Sequence, residues 1–147
     1  MLNRINQLFQ DSPKNLLSIY FCAGCPNLDG TADVIRALER NGVSMIEIGI
    51  PFSDPMADGI VIQNAATRSL HNGMSLRLLF EQLRDIRRDV RIPLVLMGYL
   101  NPIISSASKP SARSAWNAAS MASSFPTSLS AITKRVTKPS PRSMTSV

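Results

Sequence analysis

The run Met45-Ile46-Glu47-Ile48-Gly49-Ile50-Pro51-Phe52-Ser53-Asp54-Pro55-Met56-Ala57-Asp58-Gly59-Ile60-Val61-Ile62-Gln63-Asn64 decides the reading of this chain. It opens as a short apolar strand with one carboxylate, Glu47, in its middle. A loop punctuated by Pro51, Pro55 and Gly59 follows at once and carries Asp54 and Asp58. A buried strand has no structural use for an unpaired Glu, because its charge is costly to desolvate. Carboxylates at and just after the C-terminal end of a parallel strand are where strand–helix enzymes collect catalytic groups.

Working outward, strand and helix patterns alternate. Leu2 to Phe9 reads as a short amphipathic helix with Leu2, Ile5, Leu8 and Phe9 on one face. Leu16 to Cys22 is a near-continuous apolar run, as expected of a parallel strand covered on both faces. Thr31 to Arg40 reads as a helix with Gly42 just past its end. Val43 to Ile48 is the second strand, and Gly59 to Leu70 a helix ending near Gly73. Ser75 is placed to cap a further helix through about Arg87, with Leu76, Leu79, Phe80 and Leu83 as its apolar stripe. Pro93 to Met97 is the third strand. Repeated strand–helix units imply a parallel sheet with right-handed crossovers. Periodicity alone leaves a closed barrel and an open doubly wound sheet equally available.

The 45–64 run resembles the signature of the tryptophan synthase alpha chain family. Phe21-Cys22-Ala23-Gly24-Cys25-Pro26 is similar to the end of that family's first strand. Pro93-Leu94-Val95-Leu96-Met97-Gly98-Tyr99-Leu100-Asn101-Pro102-Ile103 is similar to its third strand and the turn after it. The likeness runs in order from Met1 to about Ile103. One departure is Ile60, where the family often has Pro after Asp-Gly; it bears only on local loop shape.

The resemblance implies an α/β fold, the N-terminal portion of a TIM (β/α)8 barrel in residues 1–104, with about three of eight strands present. It implies retro-aldol cleavage of indole-3-glycerol phosphate to indole and glyceraldehyde 3-phosphate, in tryptophan biosynthesis. Glu47 is then the general acid/base, and Asp58 accepts a hydrogen bond from the indole N–H. Tyr20, Tyr99 and Leu100 fall where the family lines its indole pocket. Asp54 and Pro55 fall in a loop that faces a beta chain, within an α2β2 assembly. No metal or cofactor is implied for this chain, since pyridoxal phosphate belongs to the beta partner. The family's phosphate-binding loops lie late in the barrel and are not encoded here, so the chain is expected to be truncated, marginally stable and inactive alone.

Plainer readings stand beside these. Glu47 could be a carboxylate satisfied by a structural partner. Asp54 fits an Asx-turn ahead of Pro55 equally well. Tyr20, Tyr99 and Leu100 could be ordinary core, and Asn101 reads as structural.

The composition changes near Ser105. All ten acidic residues lie at or before Asp89, whereas Lys109, Arg113, Lys134, Arg135, Lys138 and Arg142 follow it, so the net charge of +6 comes from the tail. A disordered Ser-rich basic tail, of the kind that binds nucleic acid, is one reading of 105–147. The other is out-of-frame translation. Read one base out of phase, Trp116-Asn117 gives Glu, Met121-Ala122 gives Gly, and Phe125 to Leu129 can give Pro-Asp-Leu-Pro. That resembles the family's fourth strand, and it argues against a nucleic-acid partner.

Other features carry less. Cys22 and Cys25 form a C-x-x-C that falls in a strand-end turn rather than before a helix, against a redox role. His71 is the only His, too few ligands for zinc, and reads as a surface helix end. No run of eighteen apolar residues suggests a membrane span, and the polar residues Asn3, Arg4, Asn6 and Gln7 argue against a signal peptide. The expectation is a cytoplasmic protein without a membrane partner.

Overall fold

The computed structural model describes residues 4–12 and 14–99. Leu2, Leu100, Asn101 and the 105–147 tail lie outside the described residues. Three parallel strands form one sheet: β1 (Ser18–Cys22), β2 (Met45–Gly49) and β3 (Leu94–Met97), in the order β1-β2-β3. The helices α1 (Arg4–Asp11), α2 (Thr31–Arg40), α3 (Ile60–His71) and α4 (Leu76–Leu83) fall before and between them.

The alternation of side chains along each strand divides the sheet into two unlike faces. Ile46, Ile48 and Leu94 turn to one face and are buried with Ile35 of α2 and Leu79 and Leu83 of α4. Register places Tyr20, Glu47 and Val95 side by side on the other face. That face is open: Ser18 is exposed, Tyr20 and Glu47 are half-buried, and Met97 is 53% exposed. The first strand is therefore not covered on both faces throughout. Toward its C-terminal end this face is covered, with Cys22 5% exposed, so the strand's apolar run is shielded on both sides only there.

Chain ends of the helices follow their local chemistry. Gly42 and Gly73 follow α2 and α3 with φ of +82° and +93°, a conformation that carries no steric penalty for glycine. The Ser75 hydroxyl accepts the Leu78 N–H at 3.2 Å and caps α4.

Two helices differ from the sequence reading. Among the described residues α1 spans Arg4–Asp11, running past the expected end at Phe9, and buries none of its residues, with Phe9 52% exposed. Of its apolar stripe, Ile5 and Leu8 are half-buried and Phe9 is exposed. α4 stops at Leu83, and a tight 3-10 turn at Ile86–Arg88 replaces its expected last turn. Burial of Ile86 and Val90 draws the chain under the sheet there, and the Arg87 guanidinium reaches forward to the Ile92 carbonyl at 2.7 Å.

The loop into β3 is held by charge as well. Glu39 of α2 accepts the Arg91 and Ile92 N–H groups at 2.7 and 3.1 Å. At the other end of the sheet, the turn after β1 is tied down by α3 and its flank. The buried Ser69 hydroxyl donates to the Ala23 carbonyl, and the Asn72 amide donates to the Gly24 and Pro26 carbonyls, each at 2.8 Å.

Candidate active site

Glycine at 49 lets β2 end in close contact with Tyr20. A Cβ at Gly49 would lie 2.1 Å from the Tyr20 hydroxyl oxygen and 2.6 Å from Cζ. The Tyr20 ring therefore lies over the end of β2, on the same face as Glu47. Beyond Gly49 the chain turns outward, with the Ile50 N–H donating to the Met97 carbonyl at 2.8 Å. It then enters the acidic loop.

That loop is clamped from two sides. Phe52 stacks on Tyr99 with ring centroids 5.0 Å apart. The Tyr99 hydroxyl accepts the Ala57 N–H at 2.9 Å and donates to Asp58 Oδ2 at 3.4 Å. From the first turn of α3, the Gln63 amide donates to the Asp58 carbonyl at 2.8 Å and to the Pro55 carbonyl at 3.4 Å. Together these hold the Asp58 carboxylate at the wall of a pocket of about 210 Å³. Tyr20, Pro55, Ile62, Met97 and Tyr99 also line it. A larger hollow of about 410 Å³, beside Cys25, Asn64 and Arg68, contains no acid.

Glu47 sits beside this pocket and does not line it. Its carboxylate accepts the Ser18 hydroxyl at 2.8 Å. Tyr20 links the two acids: it pairs in register with Glu47 and lines the pocket with Asp58. Tyr20 has its pKa pushed up from 10.0 to about 12 by burial, with further contributions from Cys22, Asp58, Glu47 and Tyr99. Asp54 stands apart: it is exposed and takes the Ser53 hydroxyl. The turn ahead of Pro55 is closed by the Asp54 main-chain carbonyl, which accepts the Met56 N–H at 2.9 Å, and not by an Asx side chain.

The family model for the tryptophan synthase alpha chain matches residues 6–119. The chain belongs to the tryptophan synthase alpha family. The alpha chain of Bacteroides fragilis is 78% identical over 103 residues, 70% of this chain and 39% of that one. That of Bacteroides thetaiotaomicron is 75% identical over 103 residues, 70% of this chain and 40% of that one. The solved alpha subunit of Legionella pneumophila superposes with a TM-score of 0.71 at 36% identity, over 81% of this chain and 47% of that one. A chain of the solved Pyrococcus furiosus tryptophan synthase complex gives a TM-score of 0.58 at 42% identity, over 63% of this chain and 38% of that one. The chain spans about two fifths of the length of the curated relatives it matches. The architecture is thus part of a tryptophan synthase alpha TIM barrel.

Placed in that barrel, Tyr20, Tyr99 and Asp58 line one pocket together with Pro55, which the sequence reading assigned to partner contact; Glu47 does not line it, and Leu100 lies outside the described residues. Ser18, Phe52, Ile62, Gln63 and Met97 escaped sequence reasoning. Ser18 meets Glu47 across 29 residues of chain, a pairing no local pattern signals. Gln63 reaches back from one turn inside α3, a hint that a polar residue early in a helix can give.

The remaining expectations concern thiols, metals and membranes. Cys22 and Cys25 are free thiols. Burial, then Cys25, pushes the Cys22 pKa from 9.0 to about 11, against a thiolate role. Exposed His71 closes α3. Among the described residues there is no metal-ligating cluster, and no helix is long and apolar enough to cross a membrane.

The shifted groups set a pH dependence. Tyr20 and Cys22 hold their protons more tightly folded than unfolded, so their contribution is full below pH 9 and is lost as pH rises through about 12. Urea unfolding at pH 8 and pH 11 checks this: the midpoint falls at pH 11, and it falls less in Tyr20→Phe.

Proposed function

We propose that this chain carries the first part of a lyase site that cleaves indole-3-glycerol phosphate to indole and glyceraldehyde 3-phosphate. The observation that carries the reading is that Tyr20, the register partner of Glu47, lines the same pocket as Asp58. The pocket between Tyr20, Ile62, Met97 and Tyr99 offers flat apolar walls to an indole ring. Asp58 accepts the indole N–H as positive charge develops on the ring. Glu47 delivers a proton to the ring carbon that loses its side chain and takes one from the side-chain hydroxyl, so the carbon–carbon bond breaks without net proton change. Ser18 keeps the Glu47 carboxylate oriented meanwhile.

Binding the substrate phosphate belongs to barrel loops outside the described residues, so the 147-residue chain alone is inactive in this reading. Asp54 and Pro55 serve contact with a beta chain, which carries the pyridoxal phosphate of the assembly. Exposure of Met56, Val61 and Ile60, at 90%, 75% and 67%, supports a partner on this loop. The same exposure favours the second reading, a non-catalytic fragment that keeps the contact loop. The cytoplasm is the proposed location.

The test joins residues 1–103 to the rest of the Bacteroides fragilis alpha chain. The chimera restores growth without tryptophan to a bacterium lacking its own alpha chain, and the 147-residue chain does not. Failure of a stably expressed chimera overturns the lyase reading and leaves the contact fragment.

A further inference from the structure

Arg87 sits at the opposite end of the sheet from the Asp58 pocket, in the turn that leads into β3. Its Nη1 donates to the Ile92 carbonyl at 2.7 Å and more weakly to the Val90 carbonyl at 3.5 Å. These bonds fix the plane of the guanidinium. Its Nε and Nη2 are buried and have no hydrogen-bond partner among the described residues. Those two atoms form one edge of the group, with two parallel N–H donors spaced to take two oxygens of a single anion.

The charged groups around Arg87 do not fill that role. Glu39, facing from α2, accepts two backbone N–H groups through Oε1 and makes no salt bridge with Arg87. Arg4, facing from α1, adds a second positive charge. The Arg87 pKa is lowered to about 10, chiefly by burial and also by Arg4, while Glu39 opposes the change. A buried cation that keeps two donors idle beside another cation is destabilised unless an anion joins it.

We propose that the Nε–Nη2 edge of Arg87, with the charge of Arg4 beside it, is a binding site for an oxyanion that presents two oxygens edge-on. Carboxylates and phosphates share that chemistry, and chloride lacks it. An anion held there joins α1 to the base of the sheet.

Inorganic phosphate and acetate are titrated separately into the 147-residue chain at constant ionic strength, with chloride as the reference. Binding is followed by calorimetry and by the Nε–H proton resonance of Arg87. Saturable binding of either anion, with movement of that resonance, is the expected result, and whichever anion saturates names the occupant class. Arg87→Lys keeps the charge and loses the fork, so affinity falls by at least about tenfold. Arg4→Gln weakens binding about threefold. No saturable response beyond chloride, or equal binding by Arg87→Lys, overturns the proposal. Should Arg87→Lys fail to fold, an Arg87 resonance unmoved by both anions in the unsubstituted chain overturns it equally.

Discussion

Glu47→Gln in the chimera lowers kcat for indole release by about 10²–10⁴-fold and leaves KM within about threefold. The side chain keeps its size and can still pair with the Ser18 hydroxyl, so the sheet is undisturbed. What disappears is the group proposed to give and take the proton. Such a split, in kcat and not KM, separates a catalytic carboxylate from one that only satisfies a strand neighbour. A structural Glu47 would show its loss in the unfolding midpoint, with kcat changed little. Steady-state kinetics and urea unfolding of the same two proteins decide between them.

Gly49→Ala has the second large effect, through sterics. The new methyl would stand 2.1 Å from the Tyr20 hydroxyl oxygen and 2.9 Å from Cε2, distances at which the ring must leave its place. Overpacking of this kind costs about 1–3 kcal/mol. Since Tyr20 lines the pocket, the chimera also loses indole affinity. Removing the obstacle reverses the cost: Tyr20→Ala in the Gly49→Ala background destabilises less than the sum of the single changes, by about 1 kcal/mol. Additive effects would mean that Tyr20 does not lie over Gly49.

Glu47 was legible because a charge within an apolar strand is an anomaly that periodicity exposes. The helix at Thr31–Arg40 was legible to the residue, since its amphipathic repeat and the glycine after it agree. Local patterns could not give the pairs that build the site. Tyr99 meets Asp58 across 41 residues, and Ser18 meets Glu47 across 29. Their coming together follows from sheet register, which the β1-β2-β3 order sets only once the strands pair. The end of α4 failed for a related reason. Its apolar stripe runs on through Ile86, but Arg87 and Val90 make contacts with the following loop that stop the helix at Leu83. In α1 the stripe is only partly covered, with Ile5 and Leu8 half-buried and Phe9 exposed.

The resemblance also chose between architectures that the residues left open. Three parallel strands with helices on one face suit an open sheet as well as part of a barrel. The polar, half-open second face distinguishes them here. It carries Tyr20 and Glu47, where a doubly wound sheet would place another layer of helices. In a barrel that face looks inward, and its C-terminal end is the mouth of the active site.

The central claim is that residues 1–103 supply working catalytic groups to a tryptophan synthase alpha barrel. The rate of indole release from indole-3-glycerol phosphate by the purified chimera tests it most directly. The account predicts turnover within about tenfold of the intact Bacteroides fragilis chain, abolished by Glu47→Gln. A folded chimera that releases no indole, or one whose turnover survives Glu47→Gln, contradicts it.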